Sequence, residues 1–395
     1  MPDLDLDLTV SGRMADIPKT EWDALASGSG TPLLSWGFLA LLEESLSIGP
    51  ETGWTPAHIL LRDRGTGSLA AAAPFYARSD SWGDFVFDQG FARAAEQAGY
   101  RWYPKLVGMV PVTPAPAWRI LTAPAGAGGG YGDGADLAAR LLETAEDLAR
   151  RSGLAGIHIL WPDGGTAEPL GSMPGWASWE HQAFLWTDEG YGDFRGWLDS
   201  FSKNMRRNVL RERAALAASG VKTRIVTARE AAAEPGLLDL MANLYEAHND
   251  RFGPWAAKFL TRDFFLRLPE FLPDGWLLCR ADRGGKTVGL SFLMEGRDRL
   301  YGRYFGASEE IPFLHFELCY YLPVEYALGR GIRSFDPGMG GDHKARRGFR
   351  SYLAPSFHRP FPVPLARFVK GVLPELGREE AAMVAALNGD LPYKE

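Results

Sequence analysis

WLLCRADRGGKTVGLSFLM, residues 276–294, is an apolar run, an Asp-Arg-Gly-Gly turn and a second apolar run with small residues near its start. Such runs, bounded by a glycine turn, read as a β-hairpin. The same reading fits HILLRDRGTGSLAAAAPFY, residues 58–76, with its own Asp-Arg-Gly turn. A second pair follows in the same order: GLAGIHILWPDGG (153–165) and GRGIRSFDPGMGG (329–341) each pass from a helix end at Gly through a short strand to Pro or Asp-Pro and glycines. Two matched segments in matched order mark an internal duplication, which decides the architecture before any motif is read.

Working outward, helical patterns at 20–47 precede the first hairpin, and a helix at 135–152 and a strand at 156–161 follow it. In the second copy, helices at 191–218, 236–251 and 261–271 surround a strand at 221–227; after the hairpin come a strand at 300–307, a helix at 313–330 and a strand at 332–336. Strands alternating with helices predict an α/β (α+β) chain with two mixed sheets, each flanked by helices. The boundary is expected near 186–192, giving domains 1–188 and 189–395. The Gly/Pro-rich stretch 108–134 reads as a loop or lid inside the first copy, and the tail at 362–392, a helical pattern interrupted by Pro374, as a docking element.

Composition sets the outer limits. A chain of 395 residues, 46% hydrophobic and 23% charged, is globular and long enough for two or three domains. The N-terminus lacks a basic segment followed by an apolar one, and no window approaches the ~18 apolar residues of a membrane span, so a cytoplasmic protein is expected. Cys279 and Cys319 stand apart from any metal-binding spacing and are expected to be reduced; no metal is expected. A net charge of -7 argues against a wholesale nucleic-acid binder but leaves room for local basic patches. Without GxSxG, HExxH, a P-loop or GxGxxG, the serine-hydrolase, zincin, nucleotide-triphosphatase and dinucleotide-binding classes lack their carriers.

Four stretches can carry chemistry. In FLHFELCYYLPVEYALGRG, Glu317 projects from a face it shares with Phe313, Tyr320, Tyr321 and Val324, and needs a partner such as Arg303; either protonation state could serve proton transfer or ammonium binding. His315 reads as a hydrogen-bonded core residue, and Pro323 is expected to kink the helix. In LYGRYFGA, Tyr301, Arg303 and Phe305 alternate with Gly302, Tyr304 and Gly306 on the two faces of a strand, and an internal Arg needs an acidic partner from the protein or a ligand. In DPGMGGDHKARRGF (336–349), Asp336 closes a strand at its carboxyl end, three glycines turn the chain, and Asp342, His343, Lys344, Arg346 and Arg347 supply charge: a site for an anion, or a solvated basic loop. The helix SKNMRRNVLRER adds Lys203, Arg206, Arg207, Arg211 and Arg213, with Lys203, Arg206, Arg207 and Leu210 on one broad face, or is a surface helix laced with Glu212.

The run from YGRYFGASEEIPFLHFELCYY to DPGMGGDHKARRGF, with the upstream WYPKLVGMVPVTP and KNMRRNVLRER, resembles the bacterial FemAB-like acyltransferases, built from tandem GNAT domains. The resemblance runs from about 53 to 358. It implies transfer of an acyl or aminoacyl group to an amine, typically from aminoacyl-tRNA to a peptidoglycan precursor, with no bound cofactor. Gly340, Asp342, Phe305 and Ala307 depart from the residues usual in the family and point to a specialised acceptor, a small peptide amine or a secondary metabolite. An acyl-CoA enzyme of this superfamily cradles pyrophosphate in a glycine turn at a helix start; here that turn reads GASEEIPFLH, whose glutamates repel it. The first-copy turn, APAGAGGGYGDGAD, has glycines but no Arg. Aminoacyl-tRNA therefore stands ahead of acyl-CoA as donor, held by Lys203, Arg206, Arg207, Arg211 and Arg346. In this scheme Asp336 or Glu317 steers the amine proton, with His343 able to replace either, and Lys344 or backbone N–H groups face the oxyanion. Arg303, Tyr304, Tyr301, Tyr320, Tyr321 and Arg347 contact substrate. An acyl-CoA-dependent N-acetyltransferase, or a non-catalytic binder of peptidoglycan or peptide, stays open as an alternative.

Overall fold

The computed structural model describes residues 5–124, 134–253 and 256–394. Contacts gather them into two units, 1–181 with 354–380 and 182–353 with 381–395. Each unit is thus assembled from two stretches of chain, whereas the sequence reading places one cut at 188/189.

The first unit holds two sheets. One is antiparallel, in the order Leu6–Ser11, His58–Asp63, Leu69–Ala73, Leu121–Thr122. The run LAAAA is buried throughout, and its small side chains let the helices Lys19–Ala26 and Gly134–Arg151 pack closely over it. Pro74, which has no N–H to give a ladder, ends that strand, and the chain resumes as Phe75–Arg78 in the second sheet. There Trp54–Pro56, Phe75–Arg78, Lys105–Gly108 and Gly156–Ile159 lie side by side, followed by 354–360; the pairing of Lys105–Gly108 with Gly156–Ile159 is parallel and the rest antiparallel. The expected first-copy hairpin and its expected strand near 156–161 therefore belong to different sheets.

Polar groups are buried inside this unit. Arg78, Asp84, Asp88 and Lys105 are all 0% exposed. Arg78 Nε donates to Asp84 at 3.0 Å, Lys105 bonds Asp88, and Trp102 Nε1 and Tyr103 OH donate to Asp88 at 2.8 and 2.6 Å. Nearby runs a row of buried side chains: His158 Nδ1 to His358 Nδ1, His358 Nε2 to Ser356 Oγ, and Ser356 Oγ to His181 Nε2, each 2.7 Å. Burial pushes His181 and His358 down to about 3, and His158 lower than its ordinary range, with the Lys105 ammonium adding to the effect on His158 and His358.

The second unit has one sheet, ordered Lys222–Thr227, Trp276–Arg283, Lys286–Glu295, Arg299–Ala307, Ser334–Asp336, then 182–187. Only the Arg299–Ala307/Ser334–Asp336 pairing is parallel. The stretch quoted first is a hairpin whose Gly284 and Gly285, at φ 59° and 78°, make the two-residue turn that needs positive φ twice. Helix Leu237–Asp250 crosses Arg299–Ala307 so closely that a Cβ at Gly306 would lie 2.3 Å from the Leu244 carbonyl oxygen. Trp186, Trp197, Phe201, Leu300, Phe335 and Phe349 belong to the core. The α/β (α+β) class, with mixed sheets flanked by helices, is as expected.

Two local expectations are corrected. The strand Arg299–Ala307 carries a β-bulge: Phe292 pairs with Tyr304 and Leu293 with Gly302, leaving Arg303 unmatched. The bulge reverses the alternation, so Leu300 and Phe305 face the same core although they are five positions apart. The helix at 313–330 is not uniform. A π turn, Glu317–Tyr321, separates Leu314–Phe316 from Leu322–Arg330, and Pro323 sits at the start of the latter, where its missing N–H is tolerated.

Candidate functional site

The stretch 336–349 is anchored rather than solvated. Ala345 and Phe349 are fully buried in the second unit's core, and Gly338, Gly340, Gly341 and Gly348 adopt φ between 73° and 84°, a region that favours glycine. Asp336 accepts a hydrogen bond from Gly338 N at 2.8 Å, and Lys344 Nζ donates back to the carbonyls of Gly338 and Met339 at 2.8 and 3.2 Å. The two side chains therefore brace the turn from within, and each is 3% exposed. Burial raises the Asp336 carboxyl, opposed by Gly338 N–H and the cations Arg299, Arg303 and Lys344. It pushes the Lys344 ammonium down to about 8, opposed by Asp336.

His343 leaves this braced turn and bonds Tyr320 OH through Nε2 at 2.8 Å, among the rings of His315 and Phe316. Burial and the cations Arg347 and Lys344 push its imidazole down to about 4, so it is neutral at physiological pH. Gly341 is the platform beneath it: a Cβ there would come 2.8 Å from His343 Cε1. His315 makes ring contacts with Phe305 and Tyr320, in keeping with a core role.

His343 opens onto a cleft of about 550 Å³ lined also by Met205, Asn208, Glu212, Tyr321, Arg346, Arg347 and Asp390. Helix Lys203–Ala218 supplies Met205, Asn208, Val209 and Glu212 at the i, i+3, i+4, i+7 spacing of one face. Glu212 accepts from Tyr321 OH and from Arg347 Nη2, the latter at 3.2 Å. Arg347 Nη1 donates to the His343 carbonyl at 3.1 Å, and its guanidinium lies 3.3 Å over the Phe316 ring. The structure thus brings His343, Tyr320, Tyr321, Arg346 and Arg347 together.

Other expected residues lie elsewhere. Glu317, 3% exposed, is held by Arg213, not Arg303, through two bonds of 2.9 and 2.8 Å, and Arg213 also reaches Glu325 at 2.7 Å. Tyr301 is buried beside Asp336 in the parallel ladder; Tyr304 packs its ring 4.8 Å from Tyr245, with Arg303 5.8 Å from it. Lys203, Arg207 and Arg211 are exposed, Arg206 pairs with Asp199, and Leu210 is 51% exposed, so this cationic face points away from the cleft. Both cysteines are free. Among the described residues no His/Cys/Asp/Glu group could hold a metal, and no helix is long and apolar enough to cross a membrane. The first-copy turn at 123–136 falls mostly on 125–133, outside the described residues, as does the later part of the expected lid at 108–134.

A family model described as FemAB-like, peptidoglycan biosynthesis/recognition, matches residues 13–395. The chain belongs to the FemAB-like family. With that membership it is an acyltransferase. No curated protein shows significant sequence similarity to this FemAB-like chain. Among solved structures it resembles FemX, at 13% identity over 90% of this chain and 98% of that one with a TM-score of 0.53. It also resembles a conserved protein of unknown function from Bacteroides thetaiotaomicron VPI-5482, at 12% identity over 90% and 100%, with a TM-score of 0.51. At such identities the likeness shows the fold.

Sequence reasoning missed Asn208 and gave Glu212 and Arg213 only to a charged surface helix. Each stands in the basic run 202–213, where the charges suggest an outward face; the signal available was the i, i+3, i+4 spacing of Met205, Asn208, Val209 and Glu212 on the other side.

Proposed function

We propose that this FemAB-like protein moves an aminoacyl group from aminoacyl-tRNA onto the amine of a peptidoglycan precursor, a small peptide or a specialised metabolite. The observation that carries the reading is the cleft that places neutral His343, fixed by Tyr320 and by the Gly341 platform, beside Arg347 and Glu212. The acceptor nitrogen attacks the ester carbonyl, a C–N bond forms, the C–O bond to the ribose breaks, and the proton leaving nitrogen ends on the ribose oxygen. His343 carries that proton between the two atoms, since a neutral imidazole can accept before it donates. Asp336, Lys344 and Glu317 act as positioning groups: the first two hold the turn, and Glu317 ties the π turn to Arg213.

The donor follows from electrostatics. The turn after Arg299–Ala307 carries Glu309, paired with Arg283, and Glu310, 3.4 Å from Arg251. Carboxylates at the place where an acyl-CoA enzyme binds pyrophosphate disfavour that donor. The test is incubation with charged bulk tRNA and a panel of amines, with and without ribonuclease, followed by mass spectrometry. A ribonuclease-sensitive mass gain on an amine is expected. Transfer that survives ribonuclease and requires acetyl-CoA would reverse the donor assignment, and no mass gain with either donor would remove the reading.

A further inference from the structure

The walls of the cleft carry both signs of charge. Arg346 meets Asp390 at 3.1 Å with side chains 63% and 51% exposed, and Arg347 meets Glu212 at 3.2 Å with both largely shielded. Met205, Val209 and Leu391 add apolar surface, and a volume of about 550 Å³ suits a small molecule. A nucleic-acid strand entering here would face two carboxylates, and a simple amine would face two guanidiniums. Only a ligand carrying both signs a short distance apart meets a partner at each end.

Arg347 adds an independent pointer. It is nine-tenths buried, stacked on Phe316, and its Nε lacks a hydrogen-bond partner. Its contacts with Glu212, at 3.2 and 3.4 Å, are long for a charge-assisted bond. The guanidinium is therefore rigidly held, and its long contacts with Glu212 are ones that a carboxylate entering the cleft can join or replace, while the buried Nε stays out of reach. The Arg346–Asp390 pair is at the rim, where exposed ion pairs are weak and readily opened.

We propose that the acceptor is a zwitterion, an amino acid or short peptide with a free carboxylate. Its carboxylate lies on Arg346 and Arg347, and its ammonium enters along Glu212 and Asp390 toward His343. The word acceptor rests on the acyl-transfer reading; the preference for a zwitterion rests on the cleft alone.

The experiment uses the full chain and four probes: alanyl-alanine with free ends, its C-terminal amide, its N-acetyl derivative, and putrescine. Titration calorimetry measures binding, and charged bulk tRNA with mass spectrometry measures transfer. The free dipeptide is expected to bind at least tenfold more tightly than the amide, the N-acetyl form or the diamine, the loss that follows when a charged hydrogen-bond partner is removed. Glu212→Gln is expected to weaken the free dipeptide at least tenfold; should it not fold, Asp390→Asn on the exposed rim gives the same reading. Equal binding of dipeptide and amide, or transfer to putrescine as efficient as to the dipeptide, overturns the zwitterion while leaving acyl transfer standing. Dipeptide binding without transfer from any charged tRNA leaves the site standing and removes aminoacyl-tRNA as the donor.

Discussion

Gly340 and Gly341 stand next to each other with φ of 73° and 84°, yet they differ in what surrounds them. An added Cβ meets nothing within 4 Å at Gly340 and the His343 ring at Gly341. Alanine at either costs about 1 kcal/mol for its left-handed backbone. Only Gly341→Ala displaces the imidazole, so it is expected to lower kcat/KM at least tenfold while Gly340→Ala changes it little; equal effects in steady-state assays would show that His343 need not be held. The Arg213–Glu317 pair gives a second test. Arg213→Ala leaves a buried carboxylate without its bidentate partner, a change expected to cost roughly 3 kcal/mol in urea unfolding, and Glu317→Gln added to it recovers much of the loss. At this scale the sequence showed which residue types matter but not their directions. Glu317 needed a cation, and Arg303 was the one named; the structure gives it Arg213, with a bulge at Arg303 and a π turn at Glu317, neither of which leaves a periodic trace.

Helix Lys203–Ala218 divides its labour by face. Met205, Asn208, Val209 and Glu212 look into the cleft, whereas Lys203, Arg207 and Arg211 meet solvent. If the solvent face holds a polyanionic donor, the triple change Lys203→Glu, Arg207→Glu, Arg211→Glu weakens tRNA binding and flattens the plot of log affinity against log salt by about 2 to 3. Affinity for the free dipeptide should be unchanged, since none of the three lines the cleft. An unaltered salt slope in filter-binding measurements would remove this helix from the tRNA path. Helices, hairpin and most strands were legible because their periods and glycine turns are local. The break at Pro74, where one apolar run serves two sheets, was not, because partner choice depends on residues far along the chain.

Across the first unit, the buried histidines couple stability to pH. His181 and His358 have folded values near 3, below the ordinary 6.5, so the stability they contribute is complete above pH 6.5 and is lost as pH falls through that window. At pH 5 each withdraws about 2 kcal/mol. Asp84, pushed up to about 6 by burial, acts in the opposite sense and gains on protonation, offsetting about 1 kcal/mol. Urea midpoints are therefore expected to fall between pH 7 and pH 5, and a flat profile would contradict the arrangement of these side chains. The recurring order of two hairpins and two strand ends was readable at this scale, but the sheets do not repeat it: the first hairpin and Gly156–Ile159 lie in different sheets, whereas the second hairpin and Ser334–Asp336 share one. The buried row was not readable: His158, His181, Ser356 and His358 are scattered singly along the chain, and only folding lines them up.

That row has an internal freedom. Two Nδ1 atoms face each other in His158 and His358, so one neutral ring must supply the hydrogen and the other the lone pair. If His358 donates, its Nε2 is bare, Ser356 donates to it, and His181 donates to Ser356. If His158 donates, each of these bonds runs the other way. Both patterns place one hydrogen in each of these three contacts, and neither leaves the Ser356 hydrogen for the Trp179 carbonyl 3.3 Å away; passing from one to the other takes a proton off His158 Nε2 and adds one to His181 Nδ1, so the direction of the line is set by protons at its two ends. Nitrogen chemical shifts of the three imidazoles should accordingly change together when those end protons exchange, and never one ring at a time.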